Sequence, residues 1–148
     1  LHSTSRRQRQ MCIRDRLCTT TSYGTFPIWH KDANLCMFDL NTGTQVPTEE
    51  ANSPDTDSYH SWSSNSKWVV FSSRRLDGLY TRPFIAHVGE GGILSKPFVL
   101  PQKSTDYYTL LTKSYNIPEF VKGKVKTDTY KLVSQIKEGE NRKISFIK

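Results

Sequence analysis

The chain is poor in cysteine, has no long apolar run, and carries none of the close residue pairs that mark catalytic or metal sites. Each lack removes a class of protein. Its three cysteines are Cys12, Cys18 and Cys36, too few in this length for a disulfide framework. Cys36 lies inside an apolar run and reads as a small buried hydrophobe. No stretch approaches the roughly 18 apolar residues of a membrane span, and no export signal is visible. A Gly-x-Ser-x-Gly nucleophile elbow is missing; Ser61, Ser63 and Ser72 lie near His60 but have no orienting acid at an assignable spacing. His30, His60 and His87 are far apart in sequence, with no i,i+2 or i,i+4 pair. Asp55-Thr56-Asp57 would suit a hard cation, yet lacks the Gly and terminal Glu of a helix-loop-helix calcium site. A turn held by Asp side chains on the backbone is the simpler expectation. Glu49 and Glu50 are adjacent, so on an extended segment they point to opposite sides, which is poor geometry for acid–base work. No catalytic residue, metal ligand or cofactor is therefore expected.

What is present begins with an unusual N-terminus. Arg6-Arg-Gln-Arg-Gln-Met-Cys-Ile-Arg-Asp15 is what the bases CGT CGG CAG CGT CAG ATG TGT ATA AGA GAC encode. That string matches a transposase-type sequencing adaptor, and its usual upstream flank gives Leu1-His2, with Ser3-Thr-Ser5 as the index. Residues 1–16 are accordingly expected to be a non-native, disordered segment, to be set aside from fold reasoning. They carry +4 of the formal +7 charge, leaving +3. The remainder is −2 over 17–102 and +5 over 103–148. With its excess so reduced and its basic tail interspersed with polar residues, the chain reads as a solvated surface and not as a nucleic-acid patch.

From Leu17 the rhythm is that of strands. Phe26-Pro-Ile-Trp-His30 is an apolar patch before the polar Lys31-Asp-Ala33. Asn34–Leu40 is a strand-length run closed by Asn41-Thr-Gly43, where Gly tolerates positive φ. Thr44–Pro47 returns as a short strand, and its Pro suits an edge. After the polar loop 49–58, strands are predicted at 59–63, 67–73, 80–88 and 96–100. The turns between them are Ser64-Asn-Ser66, Leu76-Asp-Gly78 and Gly89–Gly92. The apolar run Trp68-Val-Val-Phe71 does not alternate, which predicts burial on both faces. Pro101–Phe120 is a Tyr-rich connection (Tyr107, Tyr108, Tyr115), and residues 127–137 predict a helix. Thr127 or Asp128 would cap it, Leu132, Val133 and Ile136 would form its apolar face, and Gly139 would close it. A last strand is predicted over 142–147.

Tyr59-His-Ser-Trp62-Ser63, Val69-Val70-Phe71-Ser72-Ser73 and Asp77-Gly78-Leu79-Tyr80 together resemble a blade of the TolB-like, WD-type β-propellers of bacterial cell envelopes. The family's Pro-Asp-Gly turn is replaced by Ser64-Asn65-Ser66, where Asn65 retains access to the left-handed conformation. The resemblance spans residues 26–101. With Ser114-Tyr-Asn-Ile-Pro-Glu-Phe120 downstream, it is similar to a Bacteroidetes-type subgroup. It implies an all-β partial propeller: about one and a half four-stranded blades over 17–101, then a Tyr-rich connection and helix over 102–148. Trp62, Ser63, Val69, Val70, Phe71, Ser72, Asp77, Gly78 and Tyr80 would be structural blade residues.

The resemblance further implies a non-catalytic scaffold for a protein partner or envelope ligand, periplasmic or outer-membrane-associated. Nucleic acid is not an expected partner, no membrane span is expected, and there is room for a lipid anchor on a missing N-terminus. Rim loops 49–58, 73–79 and 89–92 would carry recognition, with His60, Arg74, Arg75 and Asp77 as candidate partner-binding residues. Arg74, Arg75 and Asp77 could instead form salt bridges between blades, and the tyrosines could simply pin the C-terminal segment. The competing readings are the accessory propeller of a prolyl-oligopeptidase-like hydrolase and a carbohydrate-binding propeller.

Overall fold

Among the described residues, seven strands make up most of the regular structure, in two antiparallel sheets. They are β1 (Asp15–Thr20), β2 (Asn34–Asp39), β3 (Gln45–Val46), β4 (Asp57–Trp62), β5 (Trp68–Ser73), β6 (Arg82–His87) and β7 (Phe98–Val99). The computed structural model describes residues 15–124 and 128–138. Within each sheet the strands pair in chain order, β1-β2-β3 and β4-β5-β6-β7, so both sheets are meanders. Neither sheet closes on itself among the described residues. The fold is all-β in its core, with a one-turn helix α1 (Tyr107–Leu110) and a longer helix α2 (Thr129–Glu138) following the last strand.

The two sheets share a local plan. Pairing of β1 with β2 runs uninterrupted from Asp15↔Asp39 to Thr20↔Asn34, and that of β5 with β6 from Trp68↔His87 to Ser73↔Arg82. Each ladder is then extended by a two-residue strand, β3 beside β2 and β7 beside β6. Leu17, Leu35, Met37 and Val46 of the first sheet meet Val69, Phe71, Phe84 and Ala86 of the second in one buried cluster. β1 and β2 also lie against β4. Burying a Leu, Val or Phe side chain contributes roughly 1.5–3 kcal/mol each, so this shared core is what joins the sheets.

Turn chemistry follows the sequence at two places and departs from it at a third. Gly43 (φ 69°) and Gly78 (φ 69°) hold the left-handed positions of their turns. Asp39 Oδ1 accepts from Asn41 N, and Asp77 Oδ1 accepts from the amides of Leu79 and Tyr80. In the turn after β4, however, Ser66 takes the positive φ (57°), not Asn65. Asn65 instead uses its carboxamide oxygen to accept from Ser63 Oγ and Lys67 N. Ser63 thus acts in the turn itself, and its hydroxyl also accepts from Trp68 N.

The predicted burial of Trp68–Phe71 on both faces holds for all but its first residue. Val69, Val70, Phe71, Ser72 and Ser73 are buried, while Trp68 is 37 % exposed. Trp68 lies edge-on to His87 and Phe98 on the outward face. Ser72, on that face but at the strand's other end, is covered by the C-terminal segment: its hydroxyl lies 2.7 Å and 2.9 Å from the carbonyl oxygens of Tyr115 and Asn116.

Several boundaries shift. β4 begins at Asp57, not Tyr59, because a register break between Ser58 and Ser61, with Tyr59 at φ 50°, lets the strand continue across a bulge. Tyr80 belongs to the turn before β6, and Pro47 follows β3 instead of ending it. β1 includes Asp15 and Arg16, paired through the backbone with Asp39 and Phe38, so a boundary drawn at Leu17 cuts through a strand. Helix α2 forms, with Asp128 Oδ1 accepting from Tyr130 N and Lys131 N. Its face of Leu132, Val133 and Ile136 is exposed and meets no core among the described residues. Thr127, Gly139, the strand predicted over 142–147 and most of the N-terminal segment lie outside the described residues.

Candidate partner-binding rim

At the Ser73/Arg82 end of the second sheet and the Thr20/Asn34 end of the first, three connections come together: 21–33, 47–56 and 74–81. Two hydrogen bonds hold the first at the start of β4: Thr56 Oγ1, just before the strand, donates to the carbonyl of His30 at 2.7 Å, and Asp57 N donates to that of Ala33 at 2.8 Å. The second connection is bound to β2 by Asn52. Its side chain accepts from Leu35 N at 2.8 Å and donates to Leu35 O at 2.9 Å, as a neighbouring strand would. The rim is therefore built from loops, but loops anchored to strands.

Of the four residues expected to face a partner, the structure gives each a different role. Asp57, with its side chain fully buried, receives Arg75 at 2.7 Å. The same carboxylate accepts from Ser53 N and Ser53 Oγ. Arg75 also donates to Ala51 O and Ser73 Oγ and lies over the Phe84 ring at 4.7 Å. Arg75 thus serves as an internal clamp within its own sheet, joining the 47–56 loop to the end of β5. Its ion pair with Asp57 lies within one sheet and does not bridge the two. Asp77 is occupied by the turn it closes and lies 3.5 Å from Arg82.

His60 stands apart from these three, in the middle of β4. Burial pushes its imidazole down to about 4, opposed only in part by a hydrogen bond with the Leu17 backbone. The neutral ring joins β4 to β1. Only Arg74 is placed as a rim group should be: its guanidinium sits over the Trp29 ring, 5.0 Å from the centroid. Trp29 is 71 % exposed, and Tyr23, Phe26, Leu76 and Leu79 are also exposed on these connections. Phe26 adopts φ 59°, a region that bulky residues rarely enter. Backbone strain of this kind gathers at functional surfaces. The Tyr23 ring stands edge-on to His30, centroids 4.5 Å apart, and hydrogen bonds from Ser22 hold the Asp32 carboxyl below the usual carboxylate range. Loop 89–92, expected on the same rim, lies at the opposite end, beyond the Trp68/His87 pair.

Arg82 escaped the sequence reading. It is 1 % exposed. Its guanidinium donates to the carbonyls of Tyr108 (2.9 Å), Leu111 (2.8 Å) and Lys113 and lies over the rings of Tyr80 and Tyr108. The signal was available: Arg82 is the one residue of full charge in the apolar run 80–88, and a buried cation needs partners. Around it, Tyr108 Oη donates to Leu100 O, Tyr115 N donates to Thr81 O, and Thr81 Oγ1 donates to Asn116 Oδ1. The hydroxyls of Tyr107 and Tyr115 share a hydrogen bond at 2.8 Å, which raises Tyr115 above the ordinary phenol value. The tyrosines therefore pin the C-terminal segment to the second sheet.

Ser72 is spent on carbonyls and Ser63 on its turn. No group of three or more His, Cys, Asp or Glu side chains with metal-binding geometry occurs among the described residues, and no described helix is long and apolar enough to cross a membrane. No protein-family model, curated protein or solved structure matches this chain.

Proposed function

We propose that this chain is part of a non-catalytic β-propeller scaffold of the bacterial cell envelope, TolB-like in its blades, that docks a protein partner on the rim formed by loops 21–33 and 74–81. The two meandering sheets with a common core are what adjacent blades would require. The observation that carries the binding reading is the exposed Trp29 ring under Arg74, on a loop anchored at His30 and Ala33. Trp, Tyr and Arg are the side chains that dominate protein interfaces, and a pre-anchored aromatic loses little freedom on binding.

A photoreactive amino acid placed at Trp29, and separately at Thr42 in the turn at the other end of the first sheet, tests this in intact cells. A discrete adduct from position 29 alone, weakened by Arg74→Ala, is the expected result. Identical labelling from both positions, or none from 29, refutes the rim as a docking surface.

A further inference from the structure

Cys18 and Cys36 face each other across β1 and β2, as directly opposed partners in an unbroken antiparallel ladder. Opposed residues in such a ladder have Cα atoms about 4.5–5.5 Å apart, inside the roughly 4.4–6.8 Å that a disulfide spans. The Cys18 side chain also reaches its partner: Cys18 Sγ donates to the Cys36 carbonyl at 3.4 Å. Both are free thiols. They lie on the face of the first sheet turned away from the Leu17–Met37 core side. There Cys36, with Thr20, Asn34 and Gln45, lines an open depression of about 490 Å³. Cys36 itself is buried, whereas Cys18 is half-buried, so Cys18 is the thiol a small reagent meets without unfolding of the sheet.

From this geometry we infer that Cys18 and Cys36 form a redox-active pair, oxidised to a cross-strand disulfide by small-molecule disulfides of the glutathione class. In the first step the Cys18 thiolate attacks one sulfur of the oxidant, expelling one thiol and leaving a mixed disulfide on Cys18. Cys36 then gives up its proton and attacks the Cys18 sulfur, expelling the second thiol. Two protein thiols become one disulfide, and one oxidant disulfide becomes two thiols. The bond covalently secures β1, which pairs only with β2 among the described residues. The inference stands independently of the proposed function.

Burial, and the neighbouring Cys36, push the Cys18 thiol up to about 11. Since the thiolate is the attacking species, closure is slow at neutral pH and its rate rises about tenfold per pH unit below that value.

The full-length chain carrying Cys12→Ser, so that only the pair remains, is treated with oxidised glutathione at pH 7 and pH 9, and its peptides are mapped. The expected product is an intramolecular Cys18–Cys36 peptide, formed about a hundredfold faster at pH 9. Added Cys36→Ser should trap glutathione on Cys18. Persistent single adducts on the pair-bearing chain overturn the inference. So do intermolecular dimers, and so does closure only after unfolding in urea.

Discussion

His60 shows how a residue that looks functional by type becomes structural by place. Its imidazole is held neutral in β4 against the Leu17 backbone, with its protonation pushed from 6.5 down to about 4 by burial. In the unfolded chain the ring takes up a proton as pH falls through 6.5, while the folded chain resists until about 4. The stability from this group is therefore complete above pH 6.5 and drains away as pH falls across that window. A shift of this size corresponds to at most about 3 kcal/mol. Chemical-denaturation midpoints measured from pH 7 to pH 4 should fall in the unmodified chain. In His60→Gln they should fall less, because the remaining decline then comes from carboxylates alone. Parallel curves for the two proteins would show that His60 does not titrate as its surroundings require.

The Tyr-rich connection is the element that gains most from tertiary structure. Read alone, 101–120 is an irregular run; in place, it is fastened by one buried guanidinium to three carbonyls and by Ser72, Thr81 and Tyr108 to the sheet. Arg82→Ala leaves those carbonyls without donors, and should cost about 3 kcal/mol. Amide exchange over 107–116 should speed up well before the strands themselves open. Arg82→Lys should not restore the segment, since a single ammonium cannot reproduce the forked geometry. Unchanged exchange protection in Arg82→Ala would mean the tyrosines hold the connection by themselves. Helix α2 contrasts with it: capped by Asp128 and periodic in sequence, it forms but packs on nothing described.

For the whole molecule, the faces left over decide behaviour in solution. Trp68 and Phe98 lie on the outward face of the second sheet, both partly exposed. Uncovered apolar faces favour association. The chain should self-associate with rising concentration in sedimentation velocity, and the double substitution Trp68→Ser, Phe98→Ser should shift the distribution toward monomer. A monodisperse monomer with a single cooperative melt across that range would contradict this.

Local pattern alone was enough to place β2, β5, β6 and α2 within a few residues and to mark the Gly43 and Gly78 turns. Strand periodicity, helix caps and positive-φ glycines are properties of adjacent residues. Trp68–Ser73 could be recognised as a central strand because its apolar run does not alternate. What tertiary structure decided was the use of each polar group. The sequence places Arg74, Arg75 and Asp77 side by side, yet one lies over Trp29, one clamps Asp57, and one closes a turn beside Arg82. The pairing of Cys18 with Cys36, eighteen residues apart, was equally invisible before β1 and β2 were set in register. A charge or a thiol takes its role from the group that folding brings opposite it, and those groups come from distant parts of the chain.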